Sequence, residues 1–148
     1  MSDPFVTPGE PAAAAAIAAI GEELALFDDW TDRYQYIIDL GRKLPPYAKA
    51  WADDAHRVPG CQSRVWLAVA HRDGRAFFAG ASDAAIVAGL VAILLRVYSG
   101  RTPSEIAATG PEFLKELDLM NALSTNRGNG VAAMARKIRE TAALLPAG

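Results

Sequence analysis

The sequence predicts an α+β domain in which a small antiparallel β-sheet is covered by helices. Two observations support this prediction. Most of the 148 residues carry helical periodicity or helix-capping signals, whereas the stretch from Arg64 to Gly80 alternates with a period of two around a tight turn. The chain also has no repeats and no internal linker, and 51% of its residues are hydrophobic. We therefore expect a single domain spanning residues 1–148.

The N-terminal part is predicted to hold a tail and two helices. Residues 1–10 contain two prolines and little periodicity, which indicates a loose tail. Alanine-rich Pro11–Leu26 predicts the first helix. Asp28 and Asp29 can cap the second, which we expect over residues 30–44 because Pro45 and Pro46 stop it. A shorter helix is expected around Tyr47–Asp53.

A β-hairpin is predicted in the middle of the chain. Arg64–Ala70 alternates between its two faces, as expected for a strand. Arg72-Asp73-Gly74 is a tight-turn signal, and Arg75–Gly80 is the returning strand. His56–Ser63 is predicted to be an additional edge strand or a loop that leads into the hairpin.

The C-terminal part is predicted to be helical. Ser82 and Asp83 cap a long helix over Ala84–Tyr98, which is apolar nearly all round and hence central. Gly100 ends it in the left-handed conformation. Short helices are expected to start at Pro103, after a capping box, and to span Pro111–Leu117. After a polar segment, Ser124–Gly130, the last helix is expected over Val131–Leu144.

Charge and composition exclude several classes of function. The net charge is −2, from 15 Lys+Arg against 17 Asp+Glu, so no basic field favours nucleic acid or an anionic membrane. The longest uncharged apolar run, Ala84–Leu95, is shorter than the roughly 20 residues of a membrane span. A single cysteine excludes a disulfide framework, and no targeting signal is evident. We expect a cytoplasmic protein.

Cys61 is the residue most suited to chemistry. It follows a Pro59-Gly60 bend and precedes a strand, so a rigid element holds the loop that carries it. Arg57 and Arg64 are close in sequence, and a neighbouring cation lowers the pKa of a thiol. The alternative is a buried, inert cysteine, since free cysteine is among the most buried residue types.

Elimination narrows what Cys61 could do. The two histidines, His56 and His71, are poorly placed as the base of a cysteine hydrolase, and both are expected to be solvated. A dithiol redox site needs a second cysteine, and a zinc site needs more Cys and His ligands than this chain has. The two glycine-rich motifs that bind nucleotides, GxxxxGK[ST] and GxGxxG, are both absent from the sequence. A lone reactive thiol can still carry a group covalently. No second thiol is available to attack a bound sulfur.

Five ordered blocks resemble the SufE family of sulfur acceptors. Together they cover about residues 27–139. The second block contains Cys61 and resembles the active-cysteine loop of that family. The blocks are Arg33–Gly41 with Leu44-Pro45, Arg57–Leu67, Gly80–Val87, Tyr98–Pro103, and Leu123–Gly130 with Met134.

The resemblance implies a fold similar to the IscU scaffold and a role in sulfur transfer. Cys61 would take persulfide sulfur from a SufS-type cysteine desulfurase, stimulate that enzyme, and deliver the sulfur to a SufBCD-type scaffold for iron–sulfur cluster assembly. The protein would then be an accessory subunit without small-molecule turnover of its own. It would need no cofactor or metal, because PLP belongs to the desulfurase. A homodimer is compatible with the sequence.

The resemblance also assigns supporting residues. Gln62 and Gly60 flank the thiol, and Gly60 is expected to serve backbone geometry. Arg127 would either reach the cysteine pocket, stabilising a thiolate or persulfide, or remain a solvated loop or capping arginine. Asp83 would contact the desulfurase or stabilise the dipole of the following helix. The apolar shelter of the sulfur is expected from Val58, Trp66 and Leu67.

Two alternatives remain at this point, together with one departure from the family pattern. The chain could dock on the desulfurase and regulate it without carrying sulfur, so that Cys61 would not matter. It could also be a CsdE-like carrier that serves another desulfurase or acceptor. The departure is Pro59, where a polar residue is common, and it predicts a stiffer loop. Arg101 is expected to be structural, bonding carbonyls at the end of the long helix.

Overall fold

The computed structural model describes residues 3–61, 63–119 and 125–146. A two-stranded antiparallel sheet and six helices confirm the predicted α+β class. Two short 3-10 turns, Lys49–Trp51 and Asp54–His56, precede the sheet. The elements in chain order are α1 (Ala13–Leu24), α2 (Trp30–Arg42), β1 (Val65–Arg72), β2 (Arg75–Ser82), α3 (Ala85–Tyr98), α4 (Pro103–Ala108), α5 (Phe113–Glu116) and α6 (Thr125–Ala143).

The hairpin forms around the predicted turn. Asp73 and Gly74 both have positive φ, 52° and 76°, as a two-residue hairpin turn requires. Arg72 faces Arg75 next to the turn, and Val65 faces Ser82 at the far end. Each strand is therefore two residues longer at one end than the alternation alone predicts.

Helix α3 is the centre of the core, as its apolar sequence predicts. It packs against α1, α2, α6 and β2, and ten of its residues are buried. The crossing with α2 is unusually close because Gly41 faces Gly89. A Cβ atom at Gly41 would lie 2.6 Å from the backbone nitrogen of Gly89, so the two backbones are in direct contact. Only glycine permits this approach.

The N-terminal tail is not loose over residues 3–10, contrary to the sequence prediction. Phe5 is buried in a second apolar cluster, on the face of the sheet opposite α3. The Val6 N–H donates to the Phe78 carbonyl at 2.8 Å, along the outer edge of β2. Two adjacent apolar residues show neither helical nor strand periodicity, so the sequence pattern does not reveal that this segment packs on the sheet.

Two arginines fasten the end of the tail. Arg96 of α3 binds the carboxylates of Glu10 and Glu23, each at 2.7 Å. Arg101 is buried and donates to the carbonyls of Val97, Arg96 and Glu10, which confirms its predicted structural role. Tail, α1 and α3 are thereby joined by charge-assisted hydrogen bonds.

Several helix ends differ from prediction. Helix α6 begins at Thr125 and includes most of the segment expected to be a polar loop, despite the weak helix propensity of its Asn and Gly residues. The helix expected over Tyr47–Asp53 is replaced by the two 3-10 turns. Neither Ser82 nor Asp83 is the N-cap of α3, a position that Ala84 occupies.

Other capping predictions are confirmed. Asp29 caps α2, Thr102 caps α4, and Gly100 has φ +78° after α3. Within the described ranges, no helix is both long enough and apolar enough to cross a membrane.

Candidate functional site

The Cys61 loop is fixed to the sheet at both of its ends. On one side, the Val58 N–H donates to the Val65 carbonyl at 2.8 Å. On the other, the Arg64 N–H donates to Asp83 Oδ1 at 3.0 Å, and Ser82 Oγ donates to the Arg64 carbonyl at 2.8 Å. The tip of the loop, residues 59–61 and 63, lies between these two anchors.

Helix α6 shelters the sulfur. The S–H group of Cys61 donates to the Gly130 carbonyl at 3.6 Å, a weak hydrogen bond. A Cβ atom at Gly130 would lie 3.7 Å from Cys61 Sγ, and one at Gly60 would lie 3.5 Å from the Cβ of Ala133. Gly60 has φ +84°, so the loop turns through a left-handed residue immediately before the thiol. The loop tip thus rests on the N-terminal half of α6.

Burial decides the protonation of the thiol. Cys61 is half-buried, and desolvation raises the pKa of its thiol above the ordinary value. The Arg57 guanidinium lowers that pKa, but it only partly offsets the effect of burial. In this conformation burial outweighs the neighbouring cation, and the sulfur is a neutral thiol at neutral pH.

The predicted supporting residues have different positions. Asp83 is exposed and holds the Arg64 end of the loop, rather than capping α3. Gln62 lies outside the described residues. Arg127 lies in α6, but its side chain is outside the described part of the chain.

The three candidates for the apolar shelter do not lie on the same side of the sheet, as the alternation of the strand implies. Val58 is buried in the main core, and Cys61 packs against the same cluster, as does Leu67. Trp66 points to the opposite face of the sheet, because side chains alternate along β1.

The histidines are not partners of Cys61. His56 Nδ1 lies 2.6 Å from Asp53 Oδ1, and its ring stacks on Trp51. His71 is exposed beside the hairpin turn, as expected. In the described ranges, no group of three His, Cys, Asp or Glu side chains is arranged to hold a metal ion.

Two residues of the site have roles that the sequence pattern does not predict. One is Gly130, which the sequence pattern assigns to a loop, and the other is Ser82, which it assigns to a helix cap. Their roles depend on contacts across 69 and 18 residues, respectively. The only sequence signal is the glycine content of the segment before Val131, which could have indicated close approach of another backbone.

Comparisons with known proteins identify relatives of this chain. The SufE family profile, described as an Fe-S metabolism associated domain, matches residues 18–142. An uncharacterised SufE-like protein of Rhizobium etli is 43% identical over 140 residues, covering 90% of this chain and 94% of the relative. A second such protein, from Rhizobium meliloti, is 41% identical over 127 residues, covering 82% and 90%.

A solved structure supports the fold. The solution structure of a hypothetical protein from Thermus thermophilus has a TM-score of 0.71, covering 86% of this chain and 93% of that one, at 17% identity. The chain therefore belongs to the SufE family, whose membership implies a sulfur-transfer role in iron–sulfur metabolism and an association with cysteine desulfurases.

Proposed function

We propose that this chain is a single-domain sulfur carrier, in which Cys61 accepts the terminal sulfur of a cysteine desulfurase persulfide and holds it for iron–sulfur cluster assembly. The observation that carries the proposal is a lone thiol on a loop fixed at both ends and sheltered at its tip by α6. The donor is a SufS-type enzyme and the acceptor a SufBCD-type scaffold. PLP belongs to the donor.

The transfer step is a thiol–persulfide exchange. The Cys61 thiolate attacks the terminal sulfur of the donor persulfide, and a new S–S bond forms at Cys61. The S–S bond of the donor breaks, and the donor cysteine leaves with that electron pair as a thiolate. The transferred sulfur keeps its oxidation state, so the step needs no outside oxidant or reductant. Removal of sulfur frees the donor for its next turnover, which explains stimulation.

Movement of the loop is the switch for this step. At rest, burial keeps Cys61 as a neutral thiol, which is a poor nucleophile. When the tip leaves α6, the desolvation that raises the pKa is lost, whereas Arg57 stays on the sheet, where it bridges Trp66 of β1. The thiol therefore becomes reactive when a partner draws out the loop, and it is protected otherwise.

Gly130 allows the loop tip to approach α6 closely. A single Cβ atom at this position would already be in van der Waals contact with Cys61 Sγ. The absence of a side chain there lets the sulfur rest directly against the backbone of α6, whose carbonyl accepts from the thiol. This contact keeps the resting sulfur from solvent thiols.

A docking regulator is the second candidate. The half-buried thiol with a raised pKa favours it, because an inert cysteine has these same properties. In that case the chain would stimulate the desulfurase without using Cys61. A CsdE-like carrier would use the same chemistry with a different donor or acceptor.

Desulfurase turnover separates carrier from regulator. Cysteine consumption by the desulfurase is measured without added reductant, with the wild-type chain and with Cys61→Ser. We expect stimulation by the wild-type chain and none by Cys61→Ser, whose circular dichroism and urea midpoint are expected to match the wild type. Equal stimulation by a folded Cys61→Ser variant would establish the regulator instead.

A further inference from the structure

The two outer edges of the hairpin differ in how far other parts of the chain cover them. The edge of β2 is covered by other parts of the chain. The Val6 N–H donates to the Phe78 carbonyl, the Ala76 N–H donates to the Arg101 carbonyl, and the Gly100 N–H donates to the Ala76 carbonyl, at 2.7–2.8 Å. An uncovered strand edge can pair with another chain, and these hydrogen bonds prevent such pairing at the edge of β2.

By contrast, the described residues cover the edge of β1 over one residue pair only. Arg57 bridges Trp66 in antiparallel pairing, and the Val65 carbonyl accepts from the loop. Backbone groups of alternate residues in a hairpin point away from the partner strand, so those of Val69 and His71 point outward as Val65 does. Within the described parts of the chain, the backbone groups of Val69 and His71 have no hydrogen-bond partner on this side.

A groove of about 580 Å³ runs along this open edge. One wall belongs to α6 and the other to the aromatic cluster on the opposite face of the sheet, so an added strand would lie between two walls. The groove is lined by residues 67–70 of β1, by Lys137 and Thr141 of α6, and by Phe5, Trp51, Ala55 and His56.

The charges of the groove select its ligand. Lys137 supplies a cation to the α6 wall, and no carboxylate is among the described lining residues. The Asp53 carboxylate is paired with the lining residue His56. The opposite wall is apolar, with small Ala68 and Ala70 as its floor. A strand with acidic side chains toward α6 and apolar side chains toward the aromatic wall would match both.

We propose that the open edge of β1 is a docking site for an extended acidic segment of a partner protein, which adds to the sheet as a third strand. The backbone hydrogen bonds of Val69 and His71 would provide the pairing, and Lys137 the charge preference. A second copy of this chain fits less well, because twofold pairing of two β1 edges would bring two Lys137 side chains to the same face. The proposal is independent of sulfur transfer by Cys61.

The test uses two short labelled peptides of opposite charge. In one, valine alternates with glutamate, and in the other, with lysine. Binding to the full chain is followed by fluorescence anisotropy, and amide hydrogen exchange reports the site. We expect saturable binding of the glutamate peptide alone, with slower exchange at Val69 and His71. Methylation of alternate peptide nitrogens, which removes the pairing N–H groups, should abolish binding.

Charge variants of α6 provide the matched control. Lys137→Glu should weaken binding of the glutamate peptide by about tenfold, because attraction becomes repulsion. Arg136→Glu makes the same change at an exposed neighbour that does not line the groove, and it should weaken binding by less than about threefold. Cys61→Ser should bind the peptide like the wild type, which separates this proposal from the carrier function.

Three results would overturn the proposal. The first is the absence of saturable binding, or equal binding of the lysine peptide. The second is protection of amides elsewhere with none at Val69 and His71. The third is protection of these two amides that grows with protein concentration in the absence of peptide, which would assign the edge to a second copy of the chain.

Discussion

Asp83→Ala is the most direct perturbation of the loop mechanism. It removes one anchor of the Cys61 loop, the hydrogen bond from the Arg64 N–H to Asp83 Oδ1 at 3.0 Å, and leaves the thiol itself unchanged. The Ser82 anchor on the Arg64 carbonyl remains. The resting loop should therefore lose stability relative to the open loop, while the fold around it persists.

The size of the effect follows from the geometry. A hydrogen bond to a charged acceptor typically contributes about 1.5–3 kcal/mol. This one is exposed, so we discount it to about 1 kcal/mol. Such a change raises the population of the open loop about fivefold. Because iodoacetamide reaches the sulfur through the open loop, the alkylation rate of Cys61 at constant pH should rise about fivefold, followed by intact mass.

Two controls make this result specific. Asp83→Asn keeps an acceptor oxygen, and its alkylation rate should stay within about twofold of the wild type. Asp29→Ala removes a similar bond, to the Asp32 N–H at 2.9 Å, at the start of α2. It should lower global stability by about 1 kcal/mol without changing alkylation. An unchanged rate in Asp83→Ala, or an equal rise in Asp29→Ala, would refute the anchored-loop reasoning.

Three further predictions concern packing and protonation. Gly89→Ala should lower the urea midpoint, at a cost of about 1–3 kcal/mol, because its Cβ would clash with the backbone carbonyl of Ile37 in α2. Gly9→Ala should leave the midpoint unchanged, because a Cβ at Gly9 would have nothing within 4 Å. Arg96 lowers the pKa of Glu10 below its ordinary 4.5, so this carboxylate stabilises the fold above that pH, and the stabilisation is lost as pH falls through the lowered pKa. Glu10→Gln should lower the free energy of unfolding by about 1 kcal/mol at pH 7 and make it depend less on pH in the acid range. Burial raises the pKa of Cys61 above its ordinary 9.0, so the protonated thiol stabilises the fold and this stability is lost as pH rises through the pKa of the folded state. The pH at which alkylation of Cys61 becomes fast should therefore be higher in the native chain than in urea.

Local signals explain which parts of the fold could be predicted. The Asp73-Gly74 turn permits positive φ at both central residues, so the hairpin follows from neighbouring residues alone. Helix α3 was predictable because its apolar surface leaves no face for solvent. The Pro59-Gly60 bend before Cys61 was visible for the same reason.

Contacts between distant segments explain the rest. The packing of Phe5 and the close approach of Gly130 to Cys61 depend on residues far away in the chain, and no periodicity encodes them. The sequence left the protonation of the thiol open between nearby charge and burial, because it reveals charges such as Arg57 but not the burial that outweighs them. For Asp83, the sequence predicts a desulfurase contact or stabilisation of the following helix dipole, and both stay predictions. The structure adds a hydrogen bond from the Arg64 N–H of the cysteine loop, which no local pattern reveals. The role of Cys61 in sulfur transfer stays a prediction.

Intact mass tests the central claim most directly. The purified chain is incubated with a SufS-type desulfurase, PLP and cysteine, without reductant, and its mass is compared with that of Cys61→Ser treated in the same way. The account predicts a gain of one sulfur atom in the wild type, removed by reductant, and none in the variant. An unchanged wild-type mass, or the same gain in Cys61→Ser, would contradict the assignment of Cys61 as the sulfur carrier.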